Sequence, residues 1–163
     1  MQDLTELRER IIKDFEYRDG FLYWRERGPG RKINNKVGTP NKRGYLHIGY
    51  KGKAYFIHRL IFLIHHGYLP KILDHIDGNP ENNRIENLRE ATHSQNICNS
   101  KLSKRNSTGF KGVSWRKREQ RFLASCTINK KHHELGLFKI AEDAAKAVKE
   151  FREKHHGEFA RHA

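Results

Sequence analysis

Cysteine is almost absent from this sequence of 163 residues. Cys98 and Cys126 are its only cysteines, they lie far apart, and neither belongs to a C-x-x-C pair. Structural zinc sites and disulfide frameworks need closely spaced or paired cysteines, so the sequence indicates neither. Two isolated thiols suit a reducing cytosol, and we therefore expect a cytoplasmic protein.

Long hydrophobic runs are also missing. The longest, from Leu60 to Ile64, is far shorter than the roughly 20 apolar residues that a membrane-spanning helix needs. The first residues, Met1 to Leu4, do not begin a signal peptide. We expect a soluble protein without a membrane partner, and no obligate protein partner is evident from the sequence.

Acidic residues are few relative to basic ones, 19 against 33, which gives a formal net charge of +14 and a pI of about 10.0. Such an excess favours a phosphate-rich partner. The last 63 residues carry 16 basic and 7 acidic residues, whereas the first hundred carry 17 and 12. The C-terminal part should therefore attract nucleic acid more strongly, and the length allows two modest modules.

Apolar periodicity predicts the N-terminal elements. A helix is expected from about Leu4 to Phe15, followed by a hairpin that turns at Asp19-Gly20. The stretch 25–43 is basic with almost no apolar residues, which predicts a surface loop that either contacts DNA or is merely solvated. A second hairpin around Lys51–Lys53 and a helix from about His58 to His66, ended by Gly67, should follow.

Residues 73–96 combine side chains that carry chemistry. Asp74 and His75 end a short predicted strand, a turn-rich loop follows, and Thr92 is a natural N-cap for a helix that carries Asn96. A carboxylate and an amide oxygen can hold a hard divalent cation, while a neighbouring imidazole can deprotonate water. The trio has the parts for phosphodiester hydrolysis, although an ordinary Asp- and Gly-rich turn with a solvated histidine would look similar.

The same stretch resembles a known family. Asp74-His75-x-Asp77-Gly78-Asn79, then Asn82-Asn83-x-Ile85-x-Asn87-Leu88-Arg89 and Gln95-Asn96, are similar to the HNH endonucleases, specifically the small phage and homing enzymes. The resemblance implies an α+β fold with a ββα-metal (His-Me finger) nuclease module. It implies His75 as the general base and Asp74 and Asn96 as ligands of one divalent cation, Mg²⁺ or Mn²⁺, with His93, one helical turn earlier, as the rival ligand to Asn96. It also implies that Asn87 braces the loop and orients His75 by hydrogen bonding.

The C-terminal part shows a different pattern. Apolar residues alternate with polar ones in three predicted strands, and Ala144, Ala147, Val148 and Phe151 recur at helical spacing up to Gly157. The pattern predicts a three-stranded antiparallel sheet with one covering helix. Its apolar face should include Val113 and Trp115, and the opposite face should be mostly polar.

Residues 107–161 resemble the plant Apetala or ethylene-response-factor DNA-binding domain, through Phe110-Lys111-Gly112-Val113-x-Trp115, Leu135-Gly136-x-Phe138 and Gly157-Glu158-Phe159-Ala160. In that family the exposed sheet face lies in the major groove of DNA. The resemblance implies DNA contacts from one set of residues: Lys111, Ser114, Arg116, Arg118, Arg121, Ser125, Thr127, His132 and Glu134. Several arginines and a tryptophan usual there are replaced here, so a GC-rich target does not transfer.

Together these patterns predict a two-module endonuclease for double-stranded DNA, which nicks or cleaves it. The expected limits are a nuclease domain at 1–100, a basic linker at 101–106 and a DNA-binding domain at 107–163. One alternative is a non-catalytic DNA-binding regulator that retains a nuclease-like fold, and another is an RNA-directed nuclease.

Overall fold

The computed structural model describes residues 3–29, 32–99, 102, 106–128 and 131–156. They form a mixed α+β protein, as predicted. The chain divides into two compact units, Met1–Glu90 and Ala91–Ala163. Most of the predicted linker 101–106 and the predicted helix end at Gly157 lie outside the described residues, and the domain limits at 100 and 106 stay a prediction.

The described part of the first unit forms three small sheets and two α-helices. Its elements are α1 (Leu4–Asp14), β1 (Phe15–Arg18), β2 (Phe21–Trp24), β3 (Thr39–Pro40), β4 (Leu46–Tyr50), β5 (Lys53–Phe56), α2 (Ile57–His66), β6 (Leu73–His75), a 3₁₀ turn (Ile85–Asn87) and β7 (Leu88–Glu90). The pairings β1 with β2, β3 with β4 and β5, and β6 with β7 are all antiparallel.

The predicted hairpins and helices of this unit are confirmed. Asp19 and Gly20 have φ angles of 48° and 86°, as a tight hairpin turn requires. Gly67 ends α2 in the left-handed region, and its N–H donates to the Leu63 carbonyl at 2.9 Å. The positive φ angles at Asp19, Gly20 and Gly67 are thus found where the turn and the helix end require them.

The stretch 25–43 is more ordered than the predicted surface loop. Val37 is buried and its N–H donates to the Leu22 carbonyl at 2.8 Å, while Thr39–Pro40 pairs with β4. A two-residue strand is too short to produce an apolar alternation, which is why the sequence pattern did not indicate it.

The core of the first unit lies between its two helices and the first hairpin. Leu7 and Ile11 of α1 and Leu60, Ile61 and Leu63 of α2 are buried together. This packing also helps to satisfy the C-terminal carbonyls of α2, because the Arg8 guanidinium donates to the carbonyls of Leu63 and Ile64 at 2.9–3.2 Å. The core therefore holds α2, and the residues at its N-terminus, in a fixed position.

The second unit contains α3 (His93–Asn99), β8 (Val113–Arg116), β9 (Arg121–Ile128), β10 (Lys131–Phe138) and α4 (Ala141–His156). The sheet has the order β10-β9-β8, all antiparallel, and α4 packs on one face, as predicted. Gly112 is required beneath that helix: its φ is +81°, and a Cβ there would lie 2.6 Å from the Ser125 carbonyl oxygen.

Two residues of this sheet differ from the predicted pattern. Trp115 was expected on the covered apolar face but is 44% exposed, and Leu123 was expected on the polar face but is 5% exposed. Register keeps both residues on their predicted faces, Leu123 opposite Ser114 and Trp115 opposite Phe122, because alternation along a strand predicts the face that a residue occupies but not how much of that face is covered. None of the helices in the described ranges is long and apolar enough to span a membrane.

Candidate active site

Asp74 and His75 occupy a short buried strand of the first unit. Both are less than 7% exposed, and in the β6–β7 pairing they lie opposite Arg89 and Leu88. A buried carboxylate and a buried imidazole both need polar partners. Those partners come from the loop and strand that lie next along the chain.

Asn83 is the polar partner of the His75 ring. Its Oδ1 lies 2.9 Å from His75 Nε2, and Asn83 itself is 1% exposed. In the tautomer that carries its proton on Nε2, the ring donates to this oxygen, and Nδ1 becomes the basic nitrogen. The contact therefore fixes both the orientation of the imidazole and the atom that can accept a proton.

Asn87 braces the loop between the two strands. Its Oδ1 accepts from the Asp77 N–H at 3.0 Å, and its Nδ2 donates to Asp77 Oδ1 at 2.9 Å and to the Asn82 carbonyl at 2.7 Å. Burial raises the pKa of Asp77, but hydrogen bonds from Asn79, Asn82 and Asn87 outweigh it and bring the pKa below the ordinary value. Through this network Asn87 holds the loop that carries Asn83.

The first hairpin (β1 and β2) packs against the loop that carries Asn83. The Tyr17 hydroxyl accepts from the Ile85 N–H at 3.1 Å. Gly20 packs so closely that a Cβ there would lie 2.8 Å from the Arg84 nitrogen. Asn83 is thus buried because β1, β2 and their turn cover the loop.

His58 lies beside His75 at the start of α2. The two ring centroids are 5.1 Å apart, and Tyr45 lies 5.5 Å from the His58 ring and 5.8 Å from the His75 ring. Burial, followed by the charges of His75 and Arg59, lowers the pKa of His58 to about 3. His58 is therefore neutral at pH 7 and presents an uncharged ring to its neighbour.

The buried His58 predicts that acid destabilises the protein. Unfolded histidine binds a proton below about pH 6.5, whereas folded His58 does so only near pH 3, so the unfolded state binds more protons between these values. Stability is therefore lost as the pH falls, by at most about 1.4 kcal/mol per pH unit. The free energy of urea unfolding, measured from pH 7 to pH 4.5, should depend less on pH in His58→Phe than in the natural protein.

His66→Phe is the matched control for that measurement, because His66 is exposed at the other end of α2. It should retain the pH dependence of the natural protein. Equal slopes in the natural protein and in His58→Phe would show that His58 is not the group responsible.

Asp74 forms a buried ion pair with Arg89, whose Nε lies 3.1 Å from Asp74 Oδ2. A carboxylate offers about four lone-pair sites, so the same group can accept from Arg89 and ligate a cation. Within the described ranges no three His, Cys, Asp or Glu side chains form a cation cluster. A donor set of carboxylate and amide oxygen nevertheless fits Mg²⁺ or Mn²⁺ better than Zn²⁺.

Asn96 lies on α3, which belongs to the second unit. The predicted cap of this helix is confirmed: the Gln95 N–H contacts Thr92 Oγ1 at 3.3 Å, and the Thr92 N–H donates to Gln95 Oε1 at 2.7 Å. The capping box fixes where the helix begins, and so places Asn96 in its first turns. The assignment of Asn96 as a metal ligand stays a prediction.

Most of the predicted DNA-contacting residues share one face of the second unit's sheet. Strand register and alternation put a set of seven on the face opposite α4: Ser114, Arg116, Arg121, Ser125, Thr127, His132 and Glu134. Lys111 and Arg118 lie in the turns beside β8. Arg116 forms an exposed ion pair with Glu134 at 3.2 Å, so this face carries both signs of charge.

Two residues of the site were not recognised from the sequence. Asn83 belonged to the family pattern but had no role, and His58 was placed only at the start of a predicted helix. Asn83 lies 8 residues after His75, across a loop, and His58 lies 17 residues before it, at the far end of a helix, so their contacts with His75 arise only when the chain folds. The signal that could have found Asn83 is its place among asparagines in a loop after Asp74-His75.

Comparison with known proteins adds independent information. A family model described as HNH endonuclease matches residues 55–97. Protein 3.8 of Escherichia phage T7 is 39% identical over 97 residues, which cover 58% of this chain and 79% of that protein. An uncharacterized HNH endonuclease of Acanthamoeba polyphaga mimivirus is 37% identical over 107 residues, 64% of this chain and 54% of the relative.

The chain thus spans about half the length of the mimivirus relative. No solved structure gives a significant match. The family match ends at residue 97, and these comparisons lend no support to the resemblance of residues 107–161 to the plant DNA-binding family.

Proposed function

Since residues 55–97 of this chain form an HNH endonuclease domain, we propose that the chain hydrolyses phosphodiester bonds of double-stranded DNA with His75 as the general base. The observation that carries this proposal is the buried His75 imidazole, fixed by Asn83 at 2.9 Å and adjacent in the chain to the buried Asp74. A general base must be held in one orientation and one tautomer, and this arrangement does both.

Each side chain has its own part in the proposed reaction. His75 takes a proton from the attacking water, Asn83 orients the ring, and Asn87 braces the loop that carries Asn83. Asp74 and Asn96 would hold one Mg²⁺ or Mn²⁺. When bound, such a cation stabilises negative charge on the phosphate and on the leaving 3′ oxygen.

The second unit is proposed to bind DNA and to position the substrate. This part of the proposal rests on the sheet face opposite α4 and on the net positive charge of residues 101–163. Contacts from Lys and Arg to phosphate release counterions, so DNA affinity should fall steeply with salt concentration. The proposed division is nuclease at 1–100, linker at 101–106 and DNA-binding domain at 107–163.

The experiment that tests the function is a plasmid-nicking assay with supercoiled DNA. Incubation with Mg²⁺ or Mn²⁺ should produce nicked circles or linear DNA, and excess EDTA should abolish the products while a gel shift persists. Re-addition of Mg²⁺ should restore cutting. A shift of the plasmid without any cut in either metal would contradict the proposal and favour a DNA-binding regulator, and competition with duplex RNA would identify an RNA-directed nuclease.

A further inference from the structure

A groove of about 350 Å³ opens on the first unit next to His75. Three cations and three aromatic rings stand out in its lining: Arg43, Arg59, Lys71, Tyr45, Phe56 and His58. It is formed by the turn before β4, the junction of β5 and α2, and the segment before β6. The proposed hydrolysis assigns no role to this groove.

The charge of the groove is positive. Arg43, Arg59 and Lys71 line it, and its described lining residues include no acid. Arg59 also donates to the Pro70 carbonyl at 2.9 Å, which anchors the segment before β6. Arg43 and Lys71 are exposed. A groove with this charge selects an anion, and exposed cations favour phosphate groups that remain hydrated.

The groove also offers an aromatic surface. Phe56 is 41% exposed although it lies at the junction of a strand and a helix, and its ring meets Tyr45 edge to face at 5.9 Å. An exposed phenyl ring beside cations is the combination that binds single nucleotides of a strand, because any base can stack on its face. A protein or a small acidic ligand would not need the exposed ring.

The groove lies against the proposed general base. Tyr45 and His58 line it, and their rings lie 5.8 and 5.1 Å from the ring of His75. An anion held in the groove is consequently only about one side-chain layer from the imidazole. The groove therefore lies close to the place where His75 would act on a phosphodiester.

We propose that this groove binds the nucleotide next to the scissile phosphodiester, with its phosphate against Arg43 and Lys71 and its base against Phe56. The inference rests on the proposed function. A base that contacts Phe56 has left the helical stack, so the duplex is locally opened beside the cut. The same contact makes recognition tolerant of base identity there, because stacking uses the face of a base and not its edge.

The first test measures DNA affinity in EDTA, where binding does not depend on catalysis. Arg43→Ala/Lys71→Ala should bind duplex DNA about tenfold or more weakly and should lower the slope of log K against log salt by about 2. The control, Lys13→Ala/Lys42→Ala, removes the same charge from exposed positions outside the groove. It should stay close to the natural protein in both affinity and slope.

The second test removes single bases from the DNA. Abasic sites are introduced one at a time around the mapped cut, or across the protein's footprint. The natural protein should lose about 5- to 100-fold in affinity at one or two neighbouring positions. Phe56→Leu, which keeps an apolar side chain without a ring, should bind the intact and the abasic DNA equally. Phe56→Trp should retain the difference, and thermal unfolding of both variants checks that they are folded.

The outcomes separate this inference from the function itself. If the natural protein cuts DNA but the groove variants bind DNA like the control, the proposed nucleotide binding in the groove is wrong and the proposed nuclease function stands. If DNA binding depends on Arg43, Lys71 and Phe56 but the protein does not cut DNA in Mg²⁺ or Mn²⁺, the proposed nuclease function is wrong. The proposed nucleotide binding in the groove then stands. An abasic effect that persists unchanged in Phe56→Leu overturns the stacking contact.

Discussion

Replacement of His75 by alanine is expected to lower the rate of DNA cleavage by about 10²–10⁴-fold, the usual contribution of a positioned general base. Affinity for DNA in EDTA should remain nearly unchanged, because His75 is buried and is not part of the exposed basic surface. The measurement is single-turnover nicking of a supercoiled plasmid in Mg²⁺, with a gel shift of the same DNA in EDTA.

His66→Ala is the control for this variant, since it removes an exposed histidine from the same unit. His75→Gln is a second variant that retains a polar side chain in the buried position, in case alanine prevents folding. Cleavage at the natural rate by a folded His75 variant would remove His75 from the role of base, whatever its affinity for DNA.

Replacement of Asn83 by alanine is expected to lower the cleavage rate by about 10- to 100-fold, as for residues that orient a functional imidazole. The free energy of unfolding should also fall by about 1–3 kcal/mol, because the buried ring nitrogen of His75 loses its partner at 2.9 Å. Both effects follow from one contact, so they should appear together.

Asn83→Asp distinguishes positioning from simple structural support. It keeps an oxygen near His75 Nε2 but adds a negative charge, which stabilises the protonated imidazole. More activity should remain than in Asn83→Ala, with the acid limb of the pH–rate profile moved to higher pH. Asn79→Ala, an exposed asparagine in the same loop, should leave the profile in place. A loss of stability without any change in the pH–rate profile of the Asp variant would reduce Asn83 to a structural residue.

The conditions of these assays depend on His58. Its neutral ring beside His75 is tolerated at pH 7 but weakens the fold in acid, because the pKa of His58 is lowered to about 3. The acid limb of any pH–rate profile should therefore be measured together with a stability curve. Otherwise partial unfolding would be mistaken for protonation of the catalytic base.

Local patterns predicted much of this protein. Three features depend on neighbours within a few residues: the helix from Leu4, the Asp19-Gly20 turn and the end of α2 at Gly67. The strands and the helix of the second unit were predicted in the same way, each from its own apolar period. The same holds for Asp74-His75 at a strand end and for the cap at Thr92. Each of these depends on backbone preference or on the side-chain period of a single element, which short stretches of sequence encode.

Other features arise from packing between distant segments. Val37 is buried by β2 and Trp115 is left exposed at the end of its strand, and neither could be deduced from alternation. Asn87 was expected to orient His75 by hydrogen bonding, yet its amide holds Asp77 and Asn82, and Asn83 makes the contact with the ring. A choice between two asparagines in one loop depends on how the first hairpin covers that loop.

By itself the sequence determined the order of the elements, the excess of positive charge and the residue types from which a phosphodiester hydrolase can be built. Only the tertiary structure decided that Asn83 holds the imidazole, that His58 stays neutral beside it and that Arg43, Phe56 and Lys71 line one groove. The physical reason is distance along the chain. Propensity and capping act within a few residues, whereas burial, ring contacts and shared grooves arise between segments brought together when the core packs.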